Sequence, residues 1–211
     1  MKGITYGDYH TYRDFGLVLS SWEIEPPTPK TEIVEVPGAD KPLDFTEFFG
    51  DVHYDNRKAT FEFFLPAPRL EILRIFSEIQ NRIHGKKMHI TTDEDPKFYY
   101  IGRVSVKECV IEKTIGKVTI ECDCEPYKYK LYPTIYKFDV SGTMTVYLEN
   151  LRQHVVPVFK STGTIKVTFG SQSASSTGEF TIPELVLKEG VSTLKLQGTA
   201  NVTITYQEGG L

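Results

Sequence analysis

Residues 58–65 read "KATFEFFL", and this run restricts the fold more than any other. Ala59, Phe61, Phe63 and Leu65 fall on one side of a period of two; Lys58, Thr60, Glu62 and Phe64 fall on the other. Successive side chains of an extended chain point to opposite faces, so the run is a strand with one buried face. "NR" after Asp55 supplies the turn into it. The same grain recurs elsewhere. "TEIVEVPG" alternates and stops at Pro37-Gly38, and "KMHIT" is a short strand before the acidic turn "DEDP".

"RVSVKECVIE" and "KVTIECDC" flank "KTIG" and read as a hairpin. Pairing Lys113 with Lys117 leaves a loop ending at Gly116, the pattern of a turn followed by a glycine bulge. That register sets Val110 opposite Ile120, Glu108 opposite Cys122 and Val106 opposite Cys124. It collects Val104, Val106, Val110, Val118, Ile120, Cys122 and Cys124 on one face and leaves Cys109 on the other. Cys122 and Cys124 then point the same way with Cα atoms about 6.6 Å apart. That is near the far limit for a disulfide, with parallel rather than converging side chains. A zinc site needs two more ligands, and no second Cys pair exists. Two small core residues are the expected reading, with no metal and no cofactor.

One segment has helical period. In "PAPRLEILRIFSEIQNRIHGKK", Ile72, Ile75, Phe76, Ile79 and Ile83 form a single apolar stripe, predicting a helix over 69–84. Pro68 stands near its start and Gly85 directly after it, where a left-handed cap is needed. Lys86 and Lys87 lie at the negative end of its dipole.

From residue 134 the chain changes character. The formal charge of -4 resides in residues 1–133, while the remainder is balanced, poorer in charge and rich in Ser, Thr and Val. Two domains are expected, 1–133 and 134–211. The second reads as a row of short strands, "YKFDVSGTMTVYL", "HVVPVFK", "GTIKVTFG", "GEFTIPELVL", "STLKLQG" and "NVTITYQ", at a spacing that suggests a β-sandwich. "SQSASSTG" reads as an exposed polar loop. No run of about 18 apolar residues is present, and "MKGITYGDYH" lacks the apolar core of a secretory signal.

No motif for catalysis appears, neither G-x-S-x-G nor H-E-x-x-H nor a glycine-rich phosphate loop. The acids that could pair as in a glycosidase are Asp93, Glu94 and Asp95, or Asp40 and Asp44. In "EPYKYKLY" the alternation of Tyr127, Tyr129 and Tyr132 with Lys128 and Lys130 fits nucleic-acid stacking, but equally a strand with lysines in water. Tyr136, Tyr147 and Tyr206 are the aromatic residues a sugar-binding sandwich would use, which leaves a carbohydrate-binding module for host-surface adhesion as the alternative function.

Several stretches, read together, resemble the distal tail protein family of siphophages, the phage tail components of phages and prophages of Gram-positive bacteria. They are "ITYGDYHTYRDFGLVL", with Asp14, Phe15, Gly16 and Leu17; "IHGKKMHI", with His84, Gly85 and Lys86; "DEDPKFYYIGRVSV", with Asp95, Pro96, Tyr99, Tyr100, Gly102 and Arg103; "CDCEPYKYK", with Cys122, Pro126, Tyr127, Lys128 and Tyr129; and the closing "VTITYQEGGL". The resemblance implies a mainly β fold, an N-terminal β-barrel with one α-helix and a C-terminal galectin-like β-sandwich. It implies a homo-oligomeric ring, commonly a hexamer, at the virion tail tip. That ring joins the tail tube protein to tail-associated, tail-tip or baseplate proteins and leaves a channel through which DNA passes without specific binding. It implies neither enzymatic activity nor membrane association. The negative net charge agrees with a lumen that does not grip DNA.

Overall fold

The computed structural model describes residues 2–48 and 50–211. They form two compact units, Met1–Lys128 with Leu211, and Tyr129–Gly210.

The first unit contains β1 (Ile4–Tyr6), β2 (Tyr9–His10), α1 (Thr11–Phe15), β3 (Val18–Ile24), β4 (Ile33–Val34), β5 (Leu43–Asp44), β6 (Arg57–Pro66), α2 (Arg69–Ile83), β7 (Lys87–Thr92), β8 (Phe98–Glu112) and β9 (Ile115–Cys124). Its main sheet runs β2-β1-β7-β8-β9-β6-β3, and every pairing along that path is antiparallel. The expected barrel is therefore not closed; β2 and β3 are its ends. A sheet hides an apolar face either by curling onto itself or by accepting a helix. Here α2 packs on β8 and β9. Ile72, Ile79 and Ile83 are fully buried against Phe61, Phe63, Val104, Val118 and Ile120, with Ile75 and Phe76 half-buried beside them. The end of α2 is pinned to β8: Gly85 N–H donates to Val104 O at 2.7 Å, and Val106 N–H to His84 Nδ1 at 3.1 Å.

The β8–β9 hairpin corrects the sequence-based register. Glu112 pairs with Ile115, so the turn is the two residues Lys113 and Thr114, with Lys113 at φ 55°. A bulge between Val106 and Glu108 then inserts Lys107 as an unmatched residue. The extra residue reverses which face later positions occupy. Val104 and Val106 are buried as expected, but Val110 is exposed, and Cys109 and Ile111 pack on the core instead. Gly116 is not used in the turn. It lies in β9 beneath α2, where a Cβ would stand 2.8 Å from Ile72 Cγ2.

The second unit contains β11 (Thr134–Asn150), β12 (Val158–Phe169), β13 (Gln172–Thr181), β14 (Gly190–Tyr206) and β15 (Gly209–Gly210), the last pairing with β10 (Lys128–Lys130). The four long strands make one antiparallel sheet, β11-β14-β12-β13. "SQSASSTG" is not a loop but most of β13, because pairing with β12 satisfies its backbone whatever its side chains offer.

This single sheet makes a sandwich by folding over. Gly142 faces Gly198 across β11–β14, and the irregular stretch of β12 between Ser161 and Ile165 crosses the same line. Gly198 stands at φ 149° and Gly142 at φ 87°, conformations that a side chain opposes. An extended 17-residue strand would span about 53 Å. Yet Thr134 and Tyr136 from the start of β11 and Glu149 and Asn150 from its end line one cavity of about 290 Å³. The Tyr206 hydroxyl, paired opposite Thr134, donates to Glu149 O. The two halves of the inner face thus share one core, including Val140, Leu148, Phe159, Leu194, Leu196, Val202 and Ile204.

Candidate assembly surfaces

The residues singled out in the sequence become joints between neighbouring elements. Phe15 is buried at the end of α1 with its ring 6.1 Å from that of Tyr9. Gly16 caps α1 at φ 70°, its N–H directed at Thr11 O and Tyr12 O. Gly85, at φ 77°, accepts from Arg103 Nη1 at 2.6 Å through its carbonyl. Gly102 faces Cys124 in register, and a Cβ there would stand 2.6 Å from Cys124 Sγ. Asp95 donates its N–H to Thr92 Oγ1 and pairs through its carboxylate with Lys128 Nζ at 3.2 Å. That ammonium also sits 4.7 Å from the centre of the Phe98 ring. Pro96 is exposed in the same turn, and Pro126 is half-buried after β9. Tyr127 meets Tyr54 edge to face, and Tyr129 accepts from Gln153 Nε2 at 3.4 Å.

The acids do not converge. Asp93 accepts from Gly3 N–H and His10, Glu94 pairs with Lys2 at 2.8 Å, and Asp95 pairs with Lys128. Asp44 accepts from Thr46 N–H within its own turn, with Asp40 exposed nearby. The three tyrosines of the sugar-binding alternative do not share a face. Tyr136 and Tyr206 stack at 6.3 Å on the inner side, whereas Tyr147 is exposed on the other side of β11.

Cys122 and Cys124 are buried in the first core. Burial raises both thiols; the Cys124 thiol is pushed up to about 12, with Asp123 adding to the shift and Arg57 opposing it. Both are neutral, unreactive groups at ordinary pH. In native protein at neutral pH, a thiol reagent followed by mass spectrometry should modify half-buried Cys109 first. Cys122 and Cys124 should react only as the core opens. Among the described residues, no group of three or more His, Cys, Asp or Glu is placed to hold a metal ion, and no helix is long and apolar enough to cross a membrane.

What the sequence did not single out is an arm. Residues 28–30 and 53–55 are tied together by Lys30 N–H to His53 O, Asp55 N–H to Thr28 O and a Pro29–Tyr54 bridge. Beyond that base the chain leaves the sheet; β4 and β5 pair through Ile33–Asp44 and Val34–Leu43, with Phe45 N–H donating to Glu32 O beside them. Every residue from Lys30 to Asp44 is exposed, among them Ile33, Val34, Val36 and Leu43. "TEIVEV" is thus a strand of two residues without a buried face. A further apolar patch, Leu70 and Leu73 beside Pro68, lies on the outward side of α2.

An open antiparallel sheet carrying one long helix, followed by a folded-over sheet, defines a two-unit, mainly β protein. No protein-family model matches the chain, and no curated protein matches it significantly. Among solved structures, the chain is similar along almost its whole length to the SPP1 Dit (gp 19.1) protein, described as a paradigm of the hub adsorption apparatus in phages infecting Gram-positive bacteria. The likeness covers 98% of this chain and 99% of that one at a TM-score of 0.71, with 13% sequence identity. At that identity the shared property is the fold.

Proposed function

We propose that the chain is a structural phage tail protein, a distal tail hub without enzymatic activity. Six copies close into a ring that links the tail tube to the tail-tip or baseplate proteins and leaves a channel for DNA. The observation that carries this reading is the end-to-end match, both units in order, to a hub of a phage adsorption apparatus. The arm supports it. A two-residue ladder is not stable in water by itself, and exposed apolar side chains grouped on such a projection mark a contact with another protein. A closed ring needs a heterologous contact, a projection on one copy and a receiving surface on the next. The acidic flanks of the arm, Glu32, Glu35, Asp40 and Asp44, give that contact its electrostatic register. The net charge of -4 keeps the channel from holding DNA.

Light scattering and negative-stain microscopy of concentrated protein test the reading. The expected particle is a six-fold ring with six times the 24.0 kDa mass of one chain. A species that stays at the mass of one chain at every concentration, with no annular particles, would sink it. Replacing Ile33 and Leu43 together by Asp should shift the ring to single chains while leaving the melting curve of the single chain unchanged, because neither side chain is buried in the chain itself.

A further inference from the structure

His10 holds two pieces of structure through its two imidazole nitrogens. Its Nδ1 accepts from the backbone N–H groups of Tyr12 at 3.2 Å and Arg13 at 3.1 Å, capping α1. Its Nε2 lies 3.1 Å from Asp93 Oδ2, in the β7–β8 turn. A nitrogen that accepts from two N–H groups carries no proton, so the hydrogen is on Nε2 and is donated to Asp93. The side chain is almost wholly buried, and it packs so closely on Gly3 that a Cβ there would stand 2.7 Å from His10 Cε1. The loop is closed from both sides: His10 N–H donates to Asp14 Oδ2 at 2.6 Å, and Gly3 N–H to the same Asp93 oxygen at 2.9 Å. One imidazole thus joins the start of β1, the end of β2, the first turn of α1 and the β7–β8 turn.

We propose that His10 is an acid-sensitive latch at this edge of the first unit's sheet. Uptake of one proton puts a hydrogen on Nδ1, aimed at two N–H donors, so both caps are lost at once. The Nε2–H bond to Asp93 is kept and becomes an ion pair. The imidazole therefore stays on the β7–β8 turn and releases α1.

The charged groups nearest it are Asp93, which accepts from the imidazole, and Arg13 on α1, whose charge acts on Asp93; Asp14 holds the His10 backbone rather than the imidazole. Partial burial works against ionisation of Asp93. The His10 and Gly3 hydrogen bonds, together with the charges of His10 and Arg13, outweigh this and hold its carboxyl below the usual range. A lowered carboxyl loses its contribution to stability only as pH falls through its own lowered value. Asp93 thus remains an anion at every pH well above its own lowered range. This device is read within one chain and does not depend on the proposed ring.

Amide hydrogen exchange of the full chain between about pH 8 and about pH 5, corrected for the intrinsic rate, tests it. Protection of Tyr12 and Arg13 should fall about fivefold, the effect of removing an N-cap, while Gly3, held by Asp93, keeps its protection. In His10→Asn the amide oxygen takes the place of Nδ1, accepts the same bonds and gains no proton, so Tyr12 and Arg13 should stay protected throughout. Nitrogen NMR of the wild-type imidazole is the second readout and needs no variant: near neutral pH it should show a bare Nδ1 and a protonated Nε2. A proton on Nδ1 with α1 still protected, or equal acid loss at Gly3, Tyr12 and Arg13, overturns the proposal.

Discussion

Replacing Gly198 by Ala should destabilise the second unit by about 2–4 kcal/mol, with amide exchange along β11 and β12 rising together. The backbone there stands at φ 149°, a region that essentially only glycine occupies. A Cβ would also stand 2.7 Å from Thr164 O and 3.4 Å from Ile165 Cα, backbone atoms of the adjacent strand that have no rotamer to change. Gly142, directly opposite at φ 87°, has nothing within 4 Å of such a Cβ. Gly142→Ala should therefore cost only the conformational penalty, about 1 kcal/mol. The comparison separates two causes. Equal losses at both sites would mean that backbone strain alone shapes the fold line; a much larger loss at Gly198 means that β12 presses on β14 there. The consequence reaches past the glycine, because the fold line is what brings the two halves of the inner face together.

Elements whose cause is local were legible in the sequence. The alternation from Ala59 to Leu65 marked the buried face of β6, and the stripe from Ile72 to Ile83 marked α2 and its buried side. Both signals repeat over several residues and survive a small error in the ends. Elements set by one residue or by a distant partner were not. Lys107 is a bulge only because β9 opposes it, and that one residue moves Cys109 into the core and Val110 out. Gly116 looked like turn chemistry and is instead clearance for Ile72. The serines of β13 gave no periodic signal, since the strand exists through its ladder to β12. The expected barrel came with the family resemblance; the sheet stays open, and α2 covers part of its apolar face. At the candidate surfaces, Gly85, Gly102 and Lys128 were marked by the resemblance, and each stands where neighbouring elements meet. The arm left no motif, because its apolar residues are explained by nothing in its own chain. His10 is missed for the opposite reason: a single His before Asp14 carries no periodicity, and its partner Asp93 is 83 residues away.

Phe61→Ala should lower the stability of the first unit by about 3–5 kcal/mol, the largest loss expected of any single substitution considered for this chain. Phe61 is fully buried at the middle of β6, paired to Trp22 on β3 and Ile120 on β9, and Tyr6 meets its ring edge to face at 6.2 Å and 84°. Truncation removes the transfer free energy of the benzyl group and leaves a void that Tyr6 cannot fill. The Tyr6 hydroxyl is itself buried beside the Cys122 thiol, so a shift of that ring would move a buried polar group away from that neighbour. Phe64, three residues on, points to the opposite face and is 42% exposed; Phe64→Ala should cost below about 1 kcal/mol. Trp22 is the sole tryptophan and pairs directly with Phe61, so urea unfolding followed by its fluorescence reads this region without contribution from another indole. A midpoint that falls steeply for Phe61→Ala and barely for Phe64→Ala fixes which face of β6 carries the core. Similar shifts for the two would mean that the exposed face of β6 is packed as well.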